Sequence, residues 1–295
     1  MNPTLLKEQP ASAPDAAAGA GEARLPAGST LRVCSLREEL LHTTPSLCAE
    51  RGLLITEAYQ KHQADPPVLR RAKALAHILQ NMTVTIGPDE IIVGNQASAP
   101  RAAPLFPEYL VDFLADEIDE FATRRADVFT VSPEVKRHIL DTIVPAWRGK
   151  TLNERAVSLM TPEVLGAQQA GVISGRGNIT SGDGHIILNI EKVIAVGLEG
   201  VIAEAETALA KLNPFDAAEF KKRPFLEGAI ITLRAAIHFA HRFAAAAERQ
   251  AALPETSPER RAELQTIAAA CRRVPAQPPR TFQEAVQSAF FVHLI

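Results

Sequence analysis

The chain has 295 residues, of which 46% are hydrophobic and 22% are charged, an ordinary composition for a globular protein. The formal net charge of -3 and an aromatic content of 5% give no reason to expect nucleic acid or a membrane as a partner. Three widely spaced cysteines predict neither a disulfide framework nor a zinc site, and without a signal peptide or a bilayer-spanning run we expect a cytoplasmic location.

Residues 1–30 are rich in Ala, Pro, Gly and Ser and contain too little apolar surface to fold. We therefore expect a disordered tail over 1–30 and one folded region over 31–295. In that region the run 90–94 (EIIVG) predicts a strand or an extended core segment, and the three prolines of 97–107 predict a loop.

The remaining pattern is mainly helical, with few short strands. Ser132 followed by Pro133 marks one helix start, and Thr281 with Glu284 forms the pattern of a capping box. Apolar periodicity and these start signals predict helices over 31–41, 46–62, 66–81, 108–120, 132–143, 152–159, 161–169, 191–212, 225–252, 258–273 and from 281 onward.

The stretch 174–200, SGRGNITSGDGHIILNIEKVIAVGLEG, carries four glycines around Arg176 and Asp183, followed by His185. Its spacing does not match GxxxxGK[ST], so a nucleotide-phosphate loop has little support. Two interpretations remain: a tight turn in which Asp183 bonds to its own backbone, or a substrate-facing loop with His185 as a polar contact. A lone histidine beside an apolar run is more often a core residue than a catalyst.

Other charged groups suggest no site. His238 and His241 lie three residues apart on a predicted helix without an evident third ligand, so packing is the better explanation and no metal is predicted. The pairs at 70–71 and 124–125, all arginine, fit solvated faces or helix-end partners better than ligand clamps.

Five segments stand out in order along the chain: RRAKAL (70–75), DEIIVGN (89–95), the R-x-x-P-L-F-P-E run (101–108), SGDGHIILNIEKVIAVGLEGV (181–201) and PPRTFQEAVQSAFFVHL (278–294). Together they resemble the glycyl radical enzymes, the pyruvate formate-lyase-like superfamily that includes glycerol and diol dehydratases. The resemblance covers about residues 31–295.

The resemblance implies the N-terminal helical part of a ten-stranded α/β barrel wrapped in helices. It implies a backbone glycyl radical, installed by a separate activating enzyme that uses S-adenosylmethionine and an iron–sulfur cluster. The radical passes to a cysteine, whose thiyl abstracts hydrogen from a small-molecule substrate. The partners implied are that substrate, the activating enzyme and a second copy in a homodimer of the full-length enzyme.

Neither catalytic residue of the family has a match here. Cys34, Cys48 and Cys271 lack the G-C-x-E context of the thiyl cysteine, and no glycine lies in an R-V-x-G-Y/F loop. His185 does match: the corresponding histidine contacts a substrate hydroxyl in the family's alcohol dehydratases. The choline lyases have an aspartate there and a tyrosine eight residues earlier, where this chain has His185 and Gly177, which argues against choline.

The resulting hypothesis is an N-terminal fragment of an anaerobic glycyl radical lyase or dehydratase, inactive by itself and binding no cofactor within these residues. A formate C-acetyltransferase is the alternative enzyme, and a non-catalytic helical binding module or remnant is the alternative of another class. The pattern continues as an uncapped apolar helix to residue 295. We therefore expect Phe290, Phe291, Leu294 and Ile295 to lack partners and the isolated chain to aggregate.

Overall fold

The computed structural model describes residues 30–173 and 186–295. The predicted tail, up to residue 29, and most of the glycine-rich loop with His185 lie outside the described residues. Helices dominate the described part, and the prediction of a mainly α fold with few short strands is confirmed. No helix of this part is both long and apolar enough to cross a bilayer.

The helices differ greatly in length, and a five-residue π-helical turn, Ile139–Ile143, joins two of the short ones. In chain order they are α1 Leu31–His42, α2 Glu50–Lys61, α3 Pro67–Asn81, α4 Asp112–Glu117, α5 Pro133–His138, α6 Val144–Trp147, α7 Leu152–Val157, α8 Pro162–Gln169, α9 Ile190–Ala210, α10 Ala217–Phe220, α11 Arg223–Ala251, α12 Pro258–Arg273 and α13 Phe282–Leu294. The strands β1, Ser46–Cys48, and β2, Ala102–Pro104, pair in parallel.

Helix starts follow the predicted capping chemistry. The Ser132 side chain accepts a hydrogen bond from the backbone N–H of Val135, and Thr281 does the same for Glu284. The second half of the predicted capping box is displaced by one residue, because the Glu284 carboxylate accepts from the N–H of Arg280, at 2.6 Å. A complete capping box occurs instead at Thr151 and Glu154.

Two element predictions, the helix over 46–62 and the loop over 97–107, were wrong where distant backbone segments pair. The helix predicted over 46–62 begins only at Glu50, because Ser46–Cys48 pairs with β2 and the N–H of Leu47 donates to the carbonyl of Thr130 at 3.0 Å. The predicted loop at 97–107 therefore contains a strand. The run 90–94 forms no strand, and the fully buried Val93 agrees with the other prediction for this run, an extended core segment.

Two predicted helices have different bounds. The one over 108–120 is reduced to α4, Asp112–Glu117, and the one over 132–143 continues through the π-helical turn into α6. The Glu108 side chain is drawn into a buried ion pair, and α4 begins four residues later.

The core is organised on α11. This helix packs against α3, α9 and α12, and its buried face consists mostly of alanine with two phenylalanines. The rings of Phe239 and Phe243 pack edge-to-face or tilted against each other and against Phe291 of α13, with centroids 5.1–6.2 Å apart. The expectation that Phe291 lacks a partner was therefore wrong, since its side chain is fully buried.

Helix α9 is broken at Gly197, whose backbone has φ 68° and ψ 171°, a region that only glycine occupies readily. The break brings the chain against the segment before α13. The N–H groups of Leu198 and Glu199 donate to the carbonyls of Pro275 and Ala276 at 2.8 and 2.9 Å. A Cβ on Gly197 would lie 2.3 Å from the Ala276 carbonyl oxygen, so the contact leaves no room for a side chain.

Replacing Gly197 with alanine is expected to lower the free energy of unfolding by at least about 2 kcal/mol. The left-handed backbone alone costs an alanine about 1–2 kcal/mol, and the overlap with Ala276 adds to it. Urea unfolding followed by circular dichroism measures the change. The control, Gly166→Ala, lies in α8 with open space around it and should raise stability by up to about 1 kcal/mol. An unchanged midpoint for Gly197→Ala would contradict this account of the break.

Candidate functional site

The residue that the sequence singled out for substrate contact, His185, lies outside the described residues, and its role stays a prediction. The described chain resumes at Ile186 and enters α9 at Asn189. The Asn189 side-chain oxygen accepts from the N–H of Lys192 at 3.0 Å and caps the helix. Four residues after His185, the chain is therefore anchored to α9, whose own course is set by the break at Gly197.

The segment RRAKAL meets the segment R-x-x-P-L-F-P-E at a buried carboxylate. Glu108 accepts hydrogen bonds from Arg51 at 2.7 and 3.2 Å and from Arg71 at 3.2 Å. Arg71 also donates to the Tyr109 hydroxyl at 3.2 Å, and the Arg51 guanidinium lies 3.7 Å from the centre of the Phe106 ring. The sequence suggested that Arg71 is solvated or pairs with a helix end. In the structure its guanidinium instead bonds to Glu108 and Tyr109.

The two ion pairs of Glu108 contribute differently to stability because their side chains differ in exposure to solvent. The side chains of Arg51 and Glu108 are 14% and 5% exposed, whereas that of Arg71 is 48% exposed. Water screens the Arg71 pair and leaves the Arg51 pair as the dominant one. Arg51 was not singled out from the sequence, since 57 residues separate it from Glu108 and no local pattern joins them.

The segment DEIIVGN meets the last helix through one buried amide. Gln287 accepts from the N–H of Val93 and donates to the Val93 carbonyl, each at 2.8 Å, across 194 residues. Next to it, Gly94 approaches Phe290 and Leu294 so closely that a Cβ would lie 2.9 and 2.8 Å from their side chains. The amide serves as the hydrogen-bonding partner that a neighbouring strand would supply to an isolated extended segment.

Gln287→Ala is expected to lower the free energy of unfolding by about 2–5 kcal/mol, because both backbone groups of Val93 would remain buried without partners. Gln283→Ala, on the same helix and only partly buried, is the matched control and should change stability by less than about 0.5 kcal/mol. Denaturant unfolding of the two variants measures the difference. Equal losses would show that the Gln287 amide does not hold Val93.

Glu108→Gln keeps the shape of the side chain but leaves Arg51 without its counter-charge, and we expect a loss of about 3 kcal/mol in unfolding free energy. The control is Glu248→Gln, whose ion pair with Arg272 is half-exposed on both sides and should contribute less than about 1 kcal/mol. Chemical unfolding at neutral pH compares them. A Glu108 variant as stable as the Glu248 variant would contradict the ranking by burial.

Nucleophile and metal chemistry have little support in the described ranges. Burial raises the pKa of the Cys271 thiol to about 12, so it stays protonated at neutral pH, and the Cys48 side chain is buried too. No group of three or more His, Cys, Asp or Glu side chains there is arranged to hold a metal ion. His238 is exposed rather than packed, contrary to the explanation offered from the sequence.

The family can be identified from the chain as a whole. The family model described as "Pyruvate formate lyase-like" matches residues 25–295, and the chain belongs to that family.

Individual relatives are similar over nearly the whole chain. The "Probable dehydratase YbiW" of Escherichia coli K12 is 40% identical, covering 90% of this chain and 32% of that protein. The structure of glycerol-bound B12-independent glycerol dehydratase from Clostridium butyricum has a TM-score of 0.86 and 37% identity, with 90% and 34% covered. A structure of a Roseburia inulinivorans enzyme of 1,2-propanediol dehydration has a TM-score of 0.87 and 37% identity, with 90% and 32% covered. The chain thus spans about a third of the length of these relatives.

Proposed function

We propose that this chain is the N-terminal third of a glycyl radical lyase or dehydratase that acts on a small hydroxylated substrate. The observation that carries the proposal is the match over 90% of the chain to dehydratases, in sequence at 40% identity and in structure at a TM-score of 0.87. The proposal places the thiyl cysteine and the radical glycine in the polypeptide that follows these residues in the whole enzyme.

In this proposal the described residues form a scaffold, and His185 contacts the substrate. A neutral imidazole can donate to or accept from a hydroxyl group, so it suits an alcohol substrate. The glycyl radical supplies the hydrogen-abstracting chemistry and is installed by an activating enzyme with S-adenosylmethionine and an iron–sulfur cluster. The proposed whole enzyme is a cytoplasmic homodimer.

The two alternatives are less well supported. A formate C-acetyltransferase would share the family, but the relatives described above are named or titled as dehydratases. A non-catalytic helical module has only the helical composition in its favour, whereas the similarity to enzymes extends over nearly the whole chain.

The test is anaerobic expression of the whole gene together with a glycyl radical activating enzyme. Electron paramagnetic resonance should show a glycine-centred radical after activation. Glycerol and 1,2-propanediol are then offered, beside pyruvate with coenzyme A. Loss of water from either diol supports the dehydratase, whereas acetyl-coenzyme A formation with no diol turnover would establish the acetyltransferase instead. If the sample treated with the activating enzyme shows no glycyl radical, both the dehydratase and the acetyltransferase hypotheses are refuted.

His185→Ala is expected to lower kcat/KM for the hydroxylated substrate at least roughly tenfold, because about 1.4 kcal/mol of hydrogen bonding in the transition state corresponds to that factor. The glycyl radical yield should stay unchanged, since activation is a separate step. His42→Ala is the control, because the His42 side chain is 80% exposed and its partner among the described residues is its helix neighbour Glu38. Normal turnover of the His185 variant would contradict the substrate contact and favour a structural role for this residue beside a turn.

A further inference from the structure

Helix α1 is attached to the rest of the described structure without burying any of its side chains. Its apolar side chains stay in contact with water, among them Leu40, which is 58% exposed, and Leu41, which is 54% exposed. Apolar burial therefore contributes little to its attachment, in contrast to α11, whose buried face organises the core. A helix of 12 residues is also marginally stable in water by itself, so α1 depends on other contacts.

Polar contacts attach the first half of α1. The Arg32 guanidinium forms an ion pair with Glu263 of α12 and also donates to the backbone carbonyl of Asp89 at 2.7 Å. The Ser35 hydroxyl donates to the Asp89 carboxylate at 2.6 Å. Both side chains of the ion pair are about one-third exposed, at 29% and 33%, so water and dissolved ions reach this attachment.

Arg101 attaches the other end of α1. Its guanidinium donates to the carbonyls of Leu40 and Thr43 at 2.8 and 2.9 Å. The last carbonyls of a helix have no partner within the helix, and a basic side chain can satisfy them. Asp89 and Arg101 are the first residues of the segments DEIIVGN and R-x-x-P-L-F-P-E. Both segments therefore hold α1 through the residue that opens their pattern.

A cavity of about 470 Å³ lies against α1, between its two attachments. Leu36, Glu39 and Leu40 line it from α1, and Glu90 and Arg101 are among the residues that line it from the other side. The helix therefore covers a space instead of closing over packed side chains. Because carboxylates of both walls face this space, their charges repel when α1 is in place.

The ionised form of Glu90 is disfavoured at this junction. Burial raises the pKa of the Glu90 carboxyl, and the negative charge of Glu39 raises it further. The N–H of Gly87, which donates to this carboxylate at 2.8 Å, and the charge of Arg260 on α12 act in the opposite direction without cancelling the shift. Since α1 brings Glu39 to this junction, protonation of Glu90 removes a repulsion between α1 and the rest of the protein.

Attachment of α1 should therefore depend on pH in a definite direction. A carboxyl whose pKa is raised in the closed form stabilises that form at low pH, and this stabilisation is lost as pH rises through the raised value. Glu263 acts oppositely, because hydrogen bonds from Arg260 and Arg32 lower its pKa, but its contribution is lost only as pH falls below 4.5. Between 4.5 and neutrality the Glu90 proton decides. The remaining charged groups around Glu90 are Asp89 and Arg101, which hold α1 through the contacts described above.

We propose that α1 is a detachable strap over this cavity, held by charged and polar contacts, and that it closes more firmly when Glu90 is protonated. Opening of the strap exposes the cavity together with the segments that begin at Asp89 and Arg101. The strap is a property of the polypeptide itself, so it does not depend on the proposed radical chemistry.

Hydrogen–deuterium exchange of the whole enzyme without activation, read by mass spectrometry, tests the strap, because the amides of α1 exchange once the detached helix unfolds. In the wild type, raising the salt concentration from about 0.05 M to about 1 M should speed exchange in α1 at least about threefold, while α3 stays protected. At low salt, Arg32→Gln should speed it at least about tenfold, since the ion pair with Glu263 is lost. Glu38→Gln is the matched control, because Glu38 pairs with Arg37 and His42 of its own helix, and it should change the rate less than about twofold.

The second arm compares exchange at about pH 5.5 and about pH 7.5, after division by the intrinsic exchange rates of the amides. In the wild type, α1 should be protected at least about threefold more strongly at the lower pH. Glu90→Gln should show equal protection at both values, because its side chain no longer titrates but can still accept the hydrogen bond from Gly87.

Exchange in α1 that changes neither with salt nor in Arg32→Gln would overturn the strap. If Arg32→Gln also loses protection in α3, the variant has unfolded as a whole, and the salt dependence of the wild type then decides. A wild type that is no better protected at the lower pH, or a Glu90→Gln variant that keeps the pH dependence, would overturn the role of Glu90.

Discussion

Close packing along the alanine-rich face of α11 is the constraint on which the rest of the described structure depends. Alanine and glycine keep this face flat, so α3, α9 and α12 can approach the helix from several sides. The contact is reinforced by Arg242, which donates to the carbonyls of Leu79 and Met82 at the end of α3. A larger side chain on this face would move several helices together, because interiors at native density absorb little extra volume.

Around this core, the segments that carry the resemblance are joined to one another and to nearby chain by side-chain hydrogen bonds, ion pairs and one close backbone contact. Gln287 satisfies the backbone of Val93, Gly197 admits the backbone of Ala276, and Glu108 joins Arg51 to Arg71. Changing one partner of any of these contacts would leave a buried polar group unpaired or displace the backbone. In the described residues these segments therefore act as a scaffold, and the proposed chemistry depends on His185 and on polypeptide outside this chain.

Elements with a local signal were predicted well, and elements with a distant partner were not. Apolar periodicity acts within a few residues, and helices α3 and α12 agree with prediction to within one residue. The helix predicted to begin at residue 46 does not begin there, because Ser46 pairs with a strand 56 residues away. The expectation of unpartnered aromatic residues near the C-terminus failed for Phe291 in the same way, since Phe239 and Phe243 lie about 50 residues earlier.

The sequence by itself determined the mainly helical class, most helix bounds, the family and His185 as the candidate for substrate contact. These follow from patterns that are local or from motifs that keep their order along the chain. Only the tertiary structure decided that Arg51 is the main partner of Glu108, that Gln287 holds Val93, and that polar contacts attach both ends of α1. The physical reason is that these features are contacts between segments far apart in the chain, and their energies depend on burial, which no local pattern specifies.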